Sequence, residues 1–192
     1  EELQKTITKF LQLFPEKFER LALESTLKQI EGNKENKLRL GVVLPLTGKM
    51  SLNGQQVLQG IQLAVNESNL KYQGEELETV VQDSASAPIE QLVEKLATDP
   101  SMIGIVGPVL SNSVRDSVSI ADRYHLPMMT PTATSSGLAK LSSYVFRNAV
   151  TRELQGKYIA EYAVNRLGLR RFVILHPSEE FGFELTDVFV KE

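Results

Sequence analysis

Apolar positions along the chain change their spacing partway through. Near the start, Leu3, Ile7, Phe10, Leu11 and Phe14 recur at helical intervals, and Pro15 opens a second amphipathic run through Phe18, Leu21, Ala22 and Ile30. This pattern predicts a helical hairpin. Its junction, "FPEKFERLA", is of the kind found in helical-repeat arrays, although one copy does not establish a repeat. The polar stretch "EGNKENK" at 31–37 then reads as a linker. From Leu38 the spacing becomes that of short apolar runs alternating with amphipathic helices. In order they are "LRLGVVL", a helix from about Asn53 to Ser68, "ELETVVQD", "PIEQLVEKLA", "MIGIVG", a helix from about Ser111 to Arg123, "LPMMT" and a short strand in "YVFRNA". Ile89, Leu92, Val93 and Leu96 fall on one helical face. Strand and helix in strict alternation predict an α/β fold, a doubly wound parallel sheet covered on both faces. A second α/β unit opens at Thr151. It has a helix carrying Leu154, Tyr158, Tyr162 and Ala163 and stopped by Gly168, a strand "RRFVILH", and a helix from about Phe181. The expected divisions are 1–36 for the hairpin and linker, 37–150 for the first α/β unit, and 151–192 for the opening of the second.

Composition narrows the partners. With 42% hydrophobic and 23% charged side chains among 192 residues, the chain has enough apolar material for one good core and part of another. Twenty-four acidic against twenty-one basic residues give a net charge of −3 with no dense basic block, so nucleic acid is not an expected partner. No apolar run reaches the roughly 20 residues that span a bilayer, and "EELQKTITKF" lacks the charged start and apolar core of a secretion signal. The absence of cysteine excludes disulfides and thiol chemistry.

In an open parallel sheet, ligands bind beyond the carboxyl ends of the strands, where loops enter helix N-termini with free N–H groups. The four loops at that edge are "PLTGKMSLNG" (45–54), "DSASAP" (83–88), "GPVLSNS" (107–113) and "TPTATSSG" (130–137). All are rich in hydroxyls and poor in charge. Hydroxyls and N–H groups hold a carboxylate without a fixed counter-charge, at about 1.5 to 3 kcal/mol per charge-assisted bond. The plainer reading is that Ser86, Ser111 and Ser113 cap helices. Four such loops on one edge favour a binding site, with Pro131 fixing the turn that projects the hydroxyls after it.

Catalytic motifs fail. "TGKMS" resembles part of a phosphate-binding loop, but Val43 stands where the loop needs glycine and Met50 where it needs a hydroxyl. Neither G-x-G-x-x-G after the first strand nor G-x-S-x-G occurs. His125 and His176 are far apart and lack companions for a metal, Asp83 alone does not make a phosphoacceptor pocket, and Glu179 and Glu180 read as a solvated first helical turn. A binding protein without cofactor or metal is expected rather than an enzyme.

The stretches "LGVVLPLTGKMSLNGQQVLQGIQLAVNE", "VVQDSASAP", "IGIVGPVLSNSV", "LPMMTPTATSS", "YVFRNAVTRELQG" and "RRFVILHPSEEFGFEL" occur in the order and spacing of a known family. From Leu38 to Glu192 the chain resembles the type I periplasmic binding proteins of the branched-chain amino acid and amide-binding branch. The resemblance implies two α/β lobes that close on a ligand about a hinge. It implies that Ser111 holds the ligand carboxylate, that Thr134 holds the amino acid head group, and that Thr132 offers mainly its backbone carbonyl to the ligand ammonium, with Ala133 between them. A relative used for comparison has alanine at the Thr132 position. Asn53 stands in the first-strand loop where an aromatic residue can line the cleft, and Phe181 where amino acid binders often have tyrosine.

The implied function is a periplasmic or cell-envelope receptor that captures an amino acid or related small amide or carboxylate for an ABC transporter or sensor, with a lipid anchor upstream left open. Its partners are a small-molecule ligand and a membrane permease. The helices over 1–31 resemble a second arrangement, that of lipoprotein activators of cell-wall synthases, which act by binding another protein. The apolar run Phe172–Leu175 has few sequence neighbours to pair with. We therefore expect a segment of a longer protein, the first lobe complete or nearly so. Residues 151–192 should dock on that lobe, pair with another copy or be less stable, and the segment should bind ligand weakly.

Overall fold

A computed structural model describes Lys9, residues 38–72 and residues 76–192. The hairpin and linker expected over 1–36 lie, Lys9 apart, outside the described residues. Strand β1 (Leu38–Leu44) is an internal strand of the sheet, with a neighbour on each side. Val42, Val43 and Leu44 are wholly buried, as a strand covered on both faces requires. Strand β2 (Leu77–Asp83) pairs with one edge of β1 and β3 (Met102–Val106) with the other, followed by β4 (Met128–Thr130) and β5 (Val145–Arg147). All pairings are parallel and the order is β2-β1-β3-β4-β5, so the chain reverses its direction of travel across the sheet between β1 and β3.

Alternation along β1 divides the core. Val42 and Leu44 meet Val109 and, from helix α1 (Ser51–Lys71), Val57, Leu58 and Ile61. Val43 points the other way, into a larger cluster with Ile89, Val93 and Leu96 of α2 (Ile89–Ala97) and Val114, Ile120 and Ala121 of α3 (Ser111–Tyr124). Each such side chain contributes about 1.5–3 kcal/mol through burial. The α2 face read from the sequence, Ile89, Leu92, Val93 and Leu96, is the buried one. Helix α1 starts close to the exit of β1: a Cβ on Gly54 would lie 2.0 Å from the Pro45 carbonyl oxygen, so only glycine permits that approach. It begins earlier than its apolar pattern suggests, which places Asn53 inside the helix rather than in the loop.

Beyond the sheet, α4 (Arg152–Glu161) begins at Thr151, whose hydroxyl accepts from the Leu154 N–H at 2.9 Å. It continues as a π-helical turn over Tyr162–Arg166, and Gly168 stops the helical stretch at φ +69°. Its packing departs from expectation. Leu154, Tyr158 and Tyr162 are exposed, whereas Arg152, Gly156, Ala160 and Ala163 are buried. The reason is α5 (Glu180–Lys191), which lies so near that a Cβ on Gly156 would meet Val188 Cβ at 2.9 Å. Small side chains allow that contact and the large ones are turned outward. The strand expected in "RRFVILH" forms no ladder among the described residues: Val173 and Leu175 are 93% and 95% exposed, because no strand lies beside them to complete the hydrogen bonds. Residues 151–192 contact the first α/β unit through Arg152, Glu180 and Glu184 on the 134–136 segment.

Candidate ligand-binding site

The carboxyl ends of β1 to β4 bring the four hydroxyl-rich loops together. Asp83, the last residue of β2, ties the first two. Its carboxylate accepts from the Thr47 hydroxyl (2.6 Å) and from the N–H groups of Leu46 (2.9 Å) and Ala85 (3.0 Å). Those donors, the Thr47 hydroxyl foremost, hold the carboxyl below its ordinary range. After β3 the backbone turns at Gly107, φ +114°, where a Cβ would lie 2.1 Å from the Val43 carbonyl oxygen. The third and fourth loops are stitched in turn. Thr130 Oγ1 donates to the Pro108 carbonyl (2.7 Å) and accepts from the Ala133 N–H (3.2 Å), and Thr132 Oγ1 donates to the Val109 carbonyl (3.0 Å). Ser135 N–H donates to Ser111 Oγ at 3.3 Å.

Ser111 is the first residue of α3, and Leu110 occupies the cap position with no side-chain bond. Ser86 and Ser113 are not caps either: Pro88 precedes α2, and Ser113 lies inside α3. The capping reading of these serines is therefore corrected. Because the Val114 N–H makes the bond to the Leu110 carbonyl that closes the first turn of α3, the N–H groups of Ser111, Asn112 and Ser113 lie ahead of it, where a helix has donors without intrahelical partners. Beside them, at the β1/β3 reversal, is a cleft of about 240 Å³ lined by Thr47, Lys49, Ser84, Val109, Leu110 and Ser113 among others. Lys49 is the one charged residue among its lining residues.

Four of the residues singled out from sequence come together: Ser111, Thr132, Ala133 and Thr134. Ala133 is buried, and the Thr132 side chain is held by Val109, which leaves its backbone for other work. None of the six lies on the lining of the cleft itself, although Leu110, next to Ser111, does. Asn53 is exposed on the first turn of α1. Phe181 lies away from the cleft, on the first turn of α5, its ring centroid 5.3 Å from the Arg152 guanidinium carbon.

Sequence reasoning missed an ionic cluster behind Thr134. Arg152, its side chain only 9% exposed, donates Nε–H to Thr134 Oγ1 (3.2 Å) and backbone N–H to the Thr134 carbonyl (2.9 Å). The same guanidinium reaches Glu184 at 2.7 Å and Glu180 at 3.5 Å. Glu180 also accepts from Arg115 and from the Ser135 hydroxyl, both at 3.1 Å, and Glu184 accepts from the Ser136 N–H at 3.0 Å. Glu180 is thus not merely solvated. Its carboxyl is held low by the Ser135 hydroxyl and Arg115. For Glu184 burial works to raise the value, but Ser136 and Arg152 together outweigh it and the net shift is down. The Glu180–Glu184 spacing of one helical turn was the available signal, since it puts both acids on one face. Nothing local marked Arg152 as buried.

Residues 37–192 match the periplasmic binding protein family. The chain belongs to that family. Among relatives of this periplasmic binding protein, the Leu/Ile/Val-binding protein BraC3 of Rhizobium johnstonii is 29% identical over 157 residues, 79% of this chain and 42% of the relative. Among solved structures, the branched-chain amino acid transporter substrate-binding protein LivJ of Streptococcus pneumoniae, in complex with isoleucine, superposes with TM-score 0.71 at 25% identity, covering 81% of this chain and 46% of that one. An ABC transporter substrate-binding protein from Sphaerobacter thermophilus gives TM-score 0.73 at 27% identity, over 80% and 43% of the two chains. The chain spans less than half the length of these proteins. Its parallel sheet and flanking helices are those of a type I periplasmic binding protein.

Proposed function

We propose that this chain carries the ligand-capturing edge of an extracytoplasmic solute-binding receptor for an amino acid or related small carboxylate, serving an ABC transporter and located in the periplasm or cell envelope. In this reading residues 37–150 form the first lobe and 151–192 open the second. Ser111 and Thr134 hold the ligand carboxylate, and the Thr132 carbonyl meets its ammonium with Ala133 shaping the wall. The chemistry is capture and release, with no catalytic step.

The observation that carries the reading is the convergence of Ser111, the uncapped start of α3 and the 130–137 loop at the reversal between β1 and β3. Hydroxyl and N–H donors crowd there and no acid is among the lining residues of the cleft, which suits an anionic oxygen pair. Relatives named for Leu/Ile/Val and amino acid binding support the ligand class. The activator reading rested on residues 1–31, of which only Lys9 is described. Native mass spectrometry of the natural full-length chain tests the receptor: a co-purifying amino acid or small carboxylate is expected. Failure to bind any member of a broad panel in calorimetry overturns the proposal.

A further inference from the structure

We propose that Arg152 is the positioning residue that turns the cradle at Thr134 into a site for a carboxylate and against a carboxamide. The inference rests on the receptor reading and narrows its ligand class. Two bonds from Arg152 fix Thr134: backbone N–H to its carbonyl at 2.9 Å and Nε–H to its hydroxyl oxygen at 3.2 Å. A hydroxyl has one proton and two lone pairs. With one lone pair engaged by a guanidinium, the proton is directed away from Arg152, and the adjacent positive charge strengthens it as a donor. Ser111 stands in the same relation to Ser135. Its oxygen accepts the Ser135 N–H, which leaves its proton to donate to whatever occupies the cradle. The first N–H groups of α3 add donors of the same sign.

At its carboxyl end, a ligand entering there meets the hydroxyls of Thr134 and Ser111 and the first N–H groups of α3, all donors. A carboxylate has only acceptors to offer and matches them. A carboxamide brings its own NH₂, which faces donors and leaves at least one hydrogen bond unmade. Arg152 can do this while buried because Glu184 at 2.7 Å and Glu180 at 3.5 Å balance its charge. Those acids therefore support the arrangement from the 135–136 side, where they accept from the Ser135 hydroxyl and the Ser136 N–H.

The test uses the natural full-length chain and two acid–amide pairs, L-leucine with L-leucinamide and 4-hydroxybenzoate with 4-hydroxybenzamide, titrated calorimetrically. The wild type is expected to prefer the acid of whichever pair it binds by at least about tenfold. Arg152→Met should weaken acid binding by about tenfold while changing amide binding less than about twofold. Thr134→Val should do the same, and adding Arg152→Met to it should cause no further loss, since the arginine acts through the threonine. Arg152→Lys, which keeps the charge and one donor, should fall between wild type and Arg152→Met and guards against a variant that does not fold. Equal loss of acid and amide affinity, or additive losses in the double variant, overturns the role of Arg152 with the receptor intact. A wild type that binds neither pair overturns the amino acid or carboxylate receptor itself, and this inference with it.

Discussion

Ser111→Ala separates a binding serine from a structural one, and the geometry fixes what each would cost. The Ser111 hydroxyl accepts one hydrogen bond, from the buried Ser135 N–H, at 3.3 Å. That is longer than the usual 2.9–3.0 Å of a good N–H···O bond, so it belongs at the weak end of the range, but losing it strands a buried donor. The two considerations give a stability loss of about 1 kcal/mol, or a melting temperature lower by about 2–4 °C in a unit of this size. Loss of a charge-assisted bond to a ligand carboxylate is larger, about 1.5–3 kcal/mol, which is about 10- to 150-fold in dissociation constant. Calorimetric titration and differential scanning calorimetry on the same preparations give both numbers. An affinity that stays within about twofold of wild type while the melting temperature falls would refute the assignment, because Ser111 would then serve only to hold the 130–137 loop against α3.

Other outcomes follow from the ionic cluster and the tight turns. Glu180 and Glu184 are held below their usual value near 4.5, so the unfolded chain takes up protons first; their contribution is complete well above pH 4.5 and is lost as pH falls through that value towards the folded one. Urea midpoints measured from neutral to acid pH should therefore drop more steeply in wild type than in Glu184→Gln, and parallel curves would count against the cluster. Gly54→Ala places a methyl 2.0 Å from the Pro45 carbonyl oxygen and must push α1 off the β1 loop, at a cost of at least about 2 kcal/mol; a melting temperature unchanged from wild type would contradict that contact. Asp83→Asn replaces one of two acceptor oxygens with a donor facing the Thr47 hydroxyl or the N–H groups of Leu46 and Ala85, and faster amide exchange at Leu46 and Ala85 is the expected readout.

What sequence made legible follows the range of the interactions involved. Strands β1 to β3 and the buried face of α2 depend on alternation within a few residues, and the apolar pattern placed them to within a residue or two. The loops at the strand ends were readable for the same reason, since parallel connectivity alone puts them on one edge. Asn53 was assigned to a loop because α1 starts on polar residues whose helical state depends on the close approach of Gly54 to Pro45. The buried side of α4 was misjudged because its partner α5 comes some twenty residues later and selects Gly156 and Ala160 over the larger side chains. Arg152 and Arg115 escaped notice altogether. Their acids lie 32 and 65 residues away, and a lone arginine near a helix start carries no mark of what it will meet.

The strand order has a consequence for how the protein is made. Strand β2 pairs with β1, β3 with β1, β4 with β3 and β5 with β4, so each strand adds to an edge that has already been synthesised. No pairing in this sheet has to wait for residues still inside the ribosome, and the sheet can grow in step with translation, which runs at about 5–20 residues per second. The crevice between the exits of β1 and β3 is outlined once the third strand docks, before the 130–137 loop emerges to furnish it. A nascent chain that has emerged as far as Val106 would already hold the three-strand platform, with the β3 edge open to receive β4.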